Sequence, residues 1–141
     1  MIVLDVHLDN FYAFRHFHMN MTYPKKIVDS SIPEEHMANR PNFRYKKVNV
    51  IMGANASGKT SLGRMLMNIF NFMAKMNLGV LMDAIDDHNK SAFFALDLAS
   101  EEYKLYRVAC TIPPMDGKTY NPSNVELEIR VGDIRPRDSY E

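Results

Sequence analysis

A stretch of eight residues near the middle of the chain constrains its fold more than any other feature. Residues 53–60 read Gly-Ala-Asn-Ala-Ser-Gly-Lys-Thr and match the pattern G-x-x-x-x-G-K-[ST]. Gly53 and Gly58 allow backbone angles and a close approach that a Cβ would hinder, so consecutive N–H groups can point into one concavity. Such a loop belongs between a strand and a helix. The sequence favours both, because an apolar run at residues 47–52 precedes it and periodic apolar residues follow Thr60.

The residue types in this stretch, called the glycine-rich loop below, suit a phosphate. A helix that starts at the loop adds free N–H groups and the positive end of its dipole. Lys59 would reach the β- and γ-phosphates, and the Thr60 hydroxyl would supply one ligand to Mg²⁺. We therefore expect a site for ATP (less readily GTP) with Mg²⁺, and we assign no catalytic residue. The expected contacts are Gly53, Ala54, Asn55, Ala56, Ser57, Gly58, Lys59, Thr60 and Ser61.

The composition indicates one ordinary folded domain. The chain has 141 residues, of which 46% are hydrophobic, enough to bury a core. Its 17 basic and 17 acidic residues cancel, which argues against a dedicated basic nucleic-acid module. Cys110 is the single cysteine, so an internal disulfide and a two-cysteine zinc site are excluded. Its apolar, strand-like surroundings predict a buried and inert thiol.

The sequence carries no recognisable membrane or secretory segment. No apolar run approaches the ~20 residues that a membrane helix needs, so we expect no membrane partner. The first five residues lack the basic region of a secretory signal. The resulting expectation is a cytoplasmic location.

Alternating apolar residues predict strands towards both ends of the chain. The first alternation covers residues 2–8, and an aromatic-rich stretch at residues 11–19 is its expected hairpin partner. Later in the chain, three further stretches alternate in the same way. We expect them to be antiparallel strands at residues 93–98, 103–112 and 125–131.

The chain between these strands is predicted to be partly irregular and partly helical. Residues 20–46 contain three prolines and little periodicity, which indicates an irregular loop insertion. After the glycine-rich loop, apolar residues recur every three or four positions, which predicts an amphipathic helix ending near residues 77–79 and a short helix at 80–88. The expected apolar face consists of Leu62, Met65, Leu66, Ile69, Phe70 and Met73.

Three groups outside the loop have both a functional and a structural interpretation. His16 and His18 would share one face of a strand, which suits a metal site, but no third ligand with suitable spacing is visible. The basic residues within 40–47 could contact nucleotide or DNA, although a solvated basic loop is favoured. Residues 78–83 resemble a hydrophobic strand that ends in a Mg²⁺-contacting aspartate, but no glutamate follows Asp83.

Asn55 occupies the third position of the glycine-rich loop, and residues 8–14 read Leu-Asp-Asn-Phe-Tyr-Ala-Phe. This combination resembles the start of ABC-type ATPases of the SMC, RecF and OLD (overcoming lysogenisation defect) group, in which an N-terminal strand ends in an Asn-Phe-x-x-Phe-like stretch. Residues 91–94 and 103–108 are similar to the later antiparallel strands of that group.

The resemblance implies an α/β fold of the P-loop NTPase class: an ABC-ATPase-like N-terminal lobe with a mixed or antiparallel β portion and a long helix after the loop. It implies that residues 1–141 are part of the ATP-binding domain of a longer protein. It further implies a homodimer closed over ATP, and a role in DNA repair, chromosome handling or phage defence, with DNA as a possible partner.

The hydrolytic residues of that group are mostly missing. The chain contains no glutamine and no Ser-Gly-Gly signature, so we expect it to bind nucleotide weakly and not to hydrolyse it appreciably. Two other functions stay open. One is a module that senses nucleotide without turnover, and the other is a small P-loop phosphotransferase.

Overall fold

The computed structural model of the protein describes residues 1–25, 27, 31–54 and 58–141. A short 3₁₀ turn covers Pro122–Asn124. The elements are β1 (Ile2–Asp9), β2 (Phe17–Asn20), β3 (His36–Met37), β4 (Arg40–Arg44), α1 (Lys59–Lys75), α2 (Gly79–Met82), β5 (Ala92–Ala99), β6 (Lys104–Ile112) and β7 (Glu126–Asp133).

Five strands form one sheet in the order β2-β1-β5-β6-β7. Each neighbouring pair in this sheet is antiparallel. The predicted N-terminal hairpin and the three later strands are therefore confirmed. The second strand of the hairpin is shorter than residues 11–19, because the chain turns there and Tyr12 and His16 each take a positive φ of 48°.

Helix α1 covers one face of this sheet. It buries Leu62, Met65, Ile69 and Phe72, and the ring of Phe72 meets that of Phe94 on β5 edge to face. The predicted amphipathic helix is confirmed, but its buried stripe includes Phe72 and leaves Phe70 39% exposed. The helix ends at Met76, which takes a left-handed φ of 52°. Among the described residues, the helices are too short or too polar to cross a bilayer.

A second, smaller cluster of buried residues is separate from the core under α1. Strands β3 and β4 pair antiparallel, and they lie within residues 20–46, where the sequence predicts an irregular loop. Met37 and Phe43 from these strands are buried with Leu4 of β1. These strands escape a periodicity search because they are very short, and Pro41 lies inside β4.

The predicted α/β fold of the P-loop NTPase class, as an ABC-ATPase-like N-terminal lobe, is wrong. That fold needs a parallel strand leading into the loop, whereas the sheet pairs described above are all antiparallel. Residues 47–52 form no strand, and Val48, Val50 and Met52 are 60%, 75% and 86% exposed. Their apolar pattern indicates a buried strand, but no described strand pairs with them.

Candidate functional site

The glycine-rich loop connects the exposed residues 47–52 to the first turn of α1. The structure describes Gly53, Ala54, Gly58, Lys59 and Thr60. Three further predicted contacts, Asn55, Ala56 and Ser57, lie outside the described residues. What can be said of the site therefore concerns the two ends of the loop and the start of the helix.

Gly58 is the residue that joins the loop to the start of α1. Its φ of +93° lies in the left-handed region, which glycine adopts without the steric cost that a Cβ brings. Its carbonyl accepts a hydrogen bond from the N–H of Leu62 at 2.9 Å, within the first turn of the helix. The ring of Phe14 would lie 3.7 Å from a Cβ at this position. The ring of Phe14, in the N-terminal turn, therefore lies beside Gly58.

Lys59 connects the two ends of the loop. Its ammonium donates hydrogen bonds to the carbonyl of Gly53 and, at 2.7 Å, to the carbonyl of Ala54. The first two residues of the loop therefore lie close to the side chain of Lys59, the first residue of α1. The side chain is held in place by neutral acceptors, which an anionic phosphate oxygen can replace with a stronger, charge-assisted bond.

The N-terminal end of α1 is open to an anion. Among the described residues no side chain caps it, and its own first turn contains no acidic residue, so no acid of that turn offsets the positive end of the helix dipole. Thr60 is exposed and Ser61 is partly exposed. The backbone N–H groups of residues 60 and 61 precede the amide of Leu62, which bonds to Gly58, and amides this early in a helix have no partner within the helix and can serve ligands.

Asn10, which carries part of the family resemblance, has a structural task. The side chain is buried, and its amide donates to the carbonyl of Asp87 at 2.8 Å while accepting from the N–H of the same residue at 2.9 Å. It also donates to the carbonyls of Lys90 and Ser91. Asn10 therefore fastens the end of β1 to the segment before β5.

The basic residues before the loop are engaged within the fold. The guanidinium of Arg40 lies 3.9 Å from the ring centroid of Tyr103, and that of Arg44 lies 5.0 Å from the ring of Tyr23. The ammonium of Lys47 donates to the carbonyl of Pro33 at 3.1 Å. These contacts favour the structural interpretation of this group over a role at the nucleotide.

The segment at residues 78–83 is not a strand ending in a metal-binding aspartate. It contains helix α2, and the backbone N–H of Asp83 bonds to the carbonyl of Gly79. The interpretation of these residues as a hydrophobic strand that leads to Mg²⁺ is therefore wrong.

No protein-family model matches this chain, and no curated protein matches it either. The function of the loop must therefore be inferred from its own residues and geometry.

The tertiary structure brings together a second group of polar side chains, made of histidines and aspartates near the N-terminal hairpin. His16, which the sequence pairs with His18, precedes β2, and its ring lies 3.6 Å from a carboxylate oxygen of Asp9. His18 instead lies opposite His7 of β1. Asp5 and His7 are two residues apart on one strand, and this spacing is the signal that could have revealed them as the missing ligands.

Proposed function

We propose that this chain binds the triphosphate of ATP, together with Mg²⁺, through the glycine-rich loop. The observation that supports this most directly is the position of Lys59. Its ammonium holds the carbonyls of Gly53 and Ala54 at the uncapped end of a 17-residue helix. A positive charge, a left-handed glycine and the first amides of a helix are the groups that a phosphate chain requires.

Each described residue has a distinct part in this proposal. When the phosphates enter, the ammonium of Lys59 exchanges neutral carbonyl acceptors for anionic oxygens. The N–H groups at the start of α1 donate to the same oxygens. The exposed hydroxyl of Thr60 is available as one ligand of Mg²⁺. The loop reads phosphates and not the base, so the choice of ATP over GTP rests on the resemblance described above.

We further propose that the protein closes as a homodimer over ATP and acts in DNA repair, chromosome handling or phage defence. This part of the proposal rests on the loop sequence and on residues 8–14. A site for ATP and Mg²⁺ fits the cytoplasm, where the nucleotide is abundant, and we place the protein there. The missing hydrolytic residues favour binding by this chain without appreciable turnover.

The first test is calorimetric titration of the protein with ATP and Mg²⁺. The substitution Lys59→Ala removes a charged donor worth about 1.5–3 kcal/mol, so the affinity for ATP should fall roughly 10–100-fold. Lys75→Ala is the matched control, because Lys75 is exposed at the opposite end of the same helix. Equal affinities of Lys59→Ala and the wild type would refute the proposed site.

A second experiment isolates the metal contact. Thr60→Ala should weaken the binding of ATP when Mg²⁺ is present, and it should leave binding in EDTA unchanged, because the hydroxyl acts through the ion. Titrations with GTP and with inorganic triphosphate show whether the base contributes. Robust ATP hydrolysis by this chain, abolished by Lys59→Ala, would contradict binding without turnover while supporting the site.

A further inference from the structure

The face of the sheet opposite α1 carries an ordered set of polar side chains. Along β1, Val6 and Leu8 belong to the core under the helix, so Asp5 and His7 point to the other face because side chains alternate along a strand. In the register of β1 with β2, His7 lies opposite His18 and Asp5 lies opposite Asn20. The hairpin therefore places one carboxylate and two imidazoles on adjacent positions of one face.

Asp5 is buried in a way that needs an explanation. The residue is only 6% exposed, and its Oδ1 atom has no hydrogen-bond partner among the described residues. A buried carboxylate oxygen without a partner carries a desolvation cost of several kcal/mol in general. Such an atom in a native fold indicates a role other than packing.

The orphaned oxygen faces the two histidines. It lies 2.7 Å from Nε2 of His18 and 3.4 Å from Nε2 of His7. Both nitrogens lie within ion-pair distance of this oxygen, but neither contact is a hydrogen bond. One ligand atom from each of the three side chains lies within 4.8 Å of the other two. Donor atoms around a tetrahedral zinc ion, with bonds of ~2.0–2.2 Å, are separated by about 3.3 Å, so small movements suffice.

The second oxygen of Asp5 is anchored. Its Oδ2 accepts from the side-chain amide of Asn20 at 3.2 Å, and it lies 3.2 Å from the hydroxyl of Tyr140. These contacts fix the orientation of the carboxylate and leave Oδ1 directed at the imidazoles. Outer contacts of this kind orient the ligands in established metal sites.

We propose that Asp5 Oδ1, His7 Nε2 and His18 Nε2 form a binding site for a divalent transition metal, with Zn²⁺ as the best match. Two imidazoles and one carboxylate are a donor set that Zn²⁺ accepts, with one position left for water. A metal ion gives the buried oxygen the partner that the imidazoles do not provide. This site is independent of the glycine-rich loop and of the Mg²⁺ proposed there.

Metal binding requires a modest rearrangement of the two rings. The imidazoles of His7 and His18 are stacked, with centroids 4.1 Å apart and planes 10° from parallel. In this arrangement their lone pairs run side by side. Rotation about χ2 would let the Nε2 lone pairs of both rings point at one metal ion. The side chains of His7 and His18 are 42% and 49% exposed, so solvent leaves room for this rotation. A cavity of about 330 Å³ borders His7 on the side of β5 and β6.

The test is titration of the nucleotide-free protein with Zn²⁺ by calorimetry, supported by visible absorption with Co²⁺ in its place. The wild type should bind one ion. Removal of an outer contact of a metal site costs roughly 10–100-fold in affinity, so the ligand variants His7→Ala and His18→Ala should lose at least that much. His16→Ala should bind like the wild type, because this exposed neighbour faces Asp9 instead.

A direct readout accompanies the affinities. In the histidine side-chain ¹H–¹⁵N spectrum, Zn²⁺ should shift the Nε2 signals of His7 and His18 and leave those of His16 unchanged. His7→Gln and His18→Gln keep the side-chain volume and serve if an alanine variant unfolds. Lys59→Ala should bind Zn²⁺ normally, which separates this site from the loop. Absence of binding by the wild type, or undiminished binding by both histidine variants, would overturn the proposal.

Discussion

Among the described residues of the glycine-rich loop, Gly58 is the one with a left-handed backbone. Its φ of +93° is one that residues with a Cβ rarely adopt. The nearby ring of Phe14 leaves ordinary contact distances for a Cβ, 3.7 Å and 3.8 Å. The cost of a larger residue here is therefore conformational strain and not a collision.

We predict that Gly58→Ala lowers the free energy of unfolding by about 1–2 kcal/mol, the cost of left-handed backbone in a residue with a Cβ. Gly63→Ala is the matched control, because Gly63 lies inside α1 and a Cβ there would meet nothing within 4 Å. That control should gain roughly 0.5–1 kcal/mol from helix propensity. Urea denaturation monitored by circular dichroism measures both, and a stabilised Gly58→Ala would contradict the strain at this position.

Cys110 provides a second prediction at the scale of one residue. The thiol is 1% exposed in the core under α1, and burial raises its pKa to about 11. Because the thiolate is the reactive form, we expect the native protein to resist iodoacetamide at pH 8 and to react once urea unfolds it. Mass spectrometry after timed labelling checks this. Rapid labelling without denaturant would show that the thiol is accessible.

At the scale of the element, α1 buries four side chains, more than the short helix α2. Phe72 is 3% exposed and packs edge to face against Phe94, whereas Phe70, two residues away, is 39% exposed. The two positions differ in burial and not in residue type. They therefore form a natural pair for measuring what the contact of α1 with the sheet contributes.

We predict that Phe72→Ala lowers the free energy of unfolding by about 3–5 kcal/mol, because it removes a buried ring and leaves a cavity. Phe70→Ala should cost clearly less, since 39% of its surface is already exposed to water and its removal leaves no enclosed cavity. Equilibrium denaturation of the two variants is the measurement. Equal losses would mean that α1 does not pack on the sheet through Phe72.

At the scale of the whole molecule, a polar network connects the two ends of the chain. Asp97 of β5 accepts two hydrogen bonds from Arg107 of β6, at 2.7 Å and 2.6 Å. The hydroxyl of Tyr140, near the C-terminal end, lies 2.6 Å from Asp97 Oδ2. The same hydroxyl reaches Asp5 of β1. The buried carboxylates of Asp5 and Asp97 therefore connect residues that are distant in sequence through hydrogen bonds.

Tyr140 makes the stability of this network dependent on pH. Burial, and then the hydrogen bond to Asp97, raises the pKa of its phenol above the ordinary value. The unfolded tyrosine ionises near pH 10, whereas the folded one does not. The stabilising contribution is therefore complete below about pH 10 and is lost as the pH rises further. We predict that the wild type loses more stability than Tyr140→Phe between pH 8 and pH 10.5.

Guanidinium denaturation of both proteins at the two pH values provides the comparison, because other ionising groups contribute equally and cancel in the difference. At pH 8, Tyr140→Phe should be less stable by about 1 kcal/mol, the usual net value of a hydrogen bond. Parallel pH dependence of the two proteins would place Tyr140 outside the network.

Arg107 binds both oxygens of the Asp97 carboxylate, and its substitution gives a further prediction. Asp97 is 4% exposed, so Arg107→Ala leaves a buried charge without its cation. Loss of one partner from a fully buried pair costs about 3–5 kcal/mol. The arginine side chain is 50% exposed and water can replace part of it, so we expect about 2 kcal/mol by thermal denaturation. An additional Asp97→Asn substitution should recover part of this loss, and a further drop would argue against the pair.

The sequence by itself determined the local features of this protein. Alternation predicted β1, β5, β6 and β7, and three-to-four spacing predicted α1, because these periods follow directly from strand and helix geometry. The pattern of residues 53–60 likewise predicted a phosphate-binding loop, and this function stays a prediction; at its C-terminal end Gly58 has a left-handed backbone and Lys59 donates to the carbonyl of Ala54.

Tertiary structure decided how these pieces combine. Only long-range pairing shows that β1 joins β5 in an antiparallel sheet, and only packing shows that residues 47–52, apolar as they are, stay exposed. The register of one hairpin set His18 against His7 and beside Asp5. A one-residue slip would have moved those side chains to opposite faces. Periodicity describes one segment at a time, whereas the fold and the proposed metal site depend on contacts between different segments of the chain.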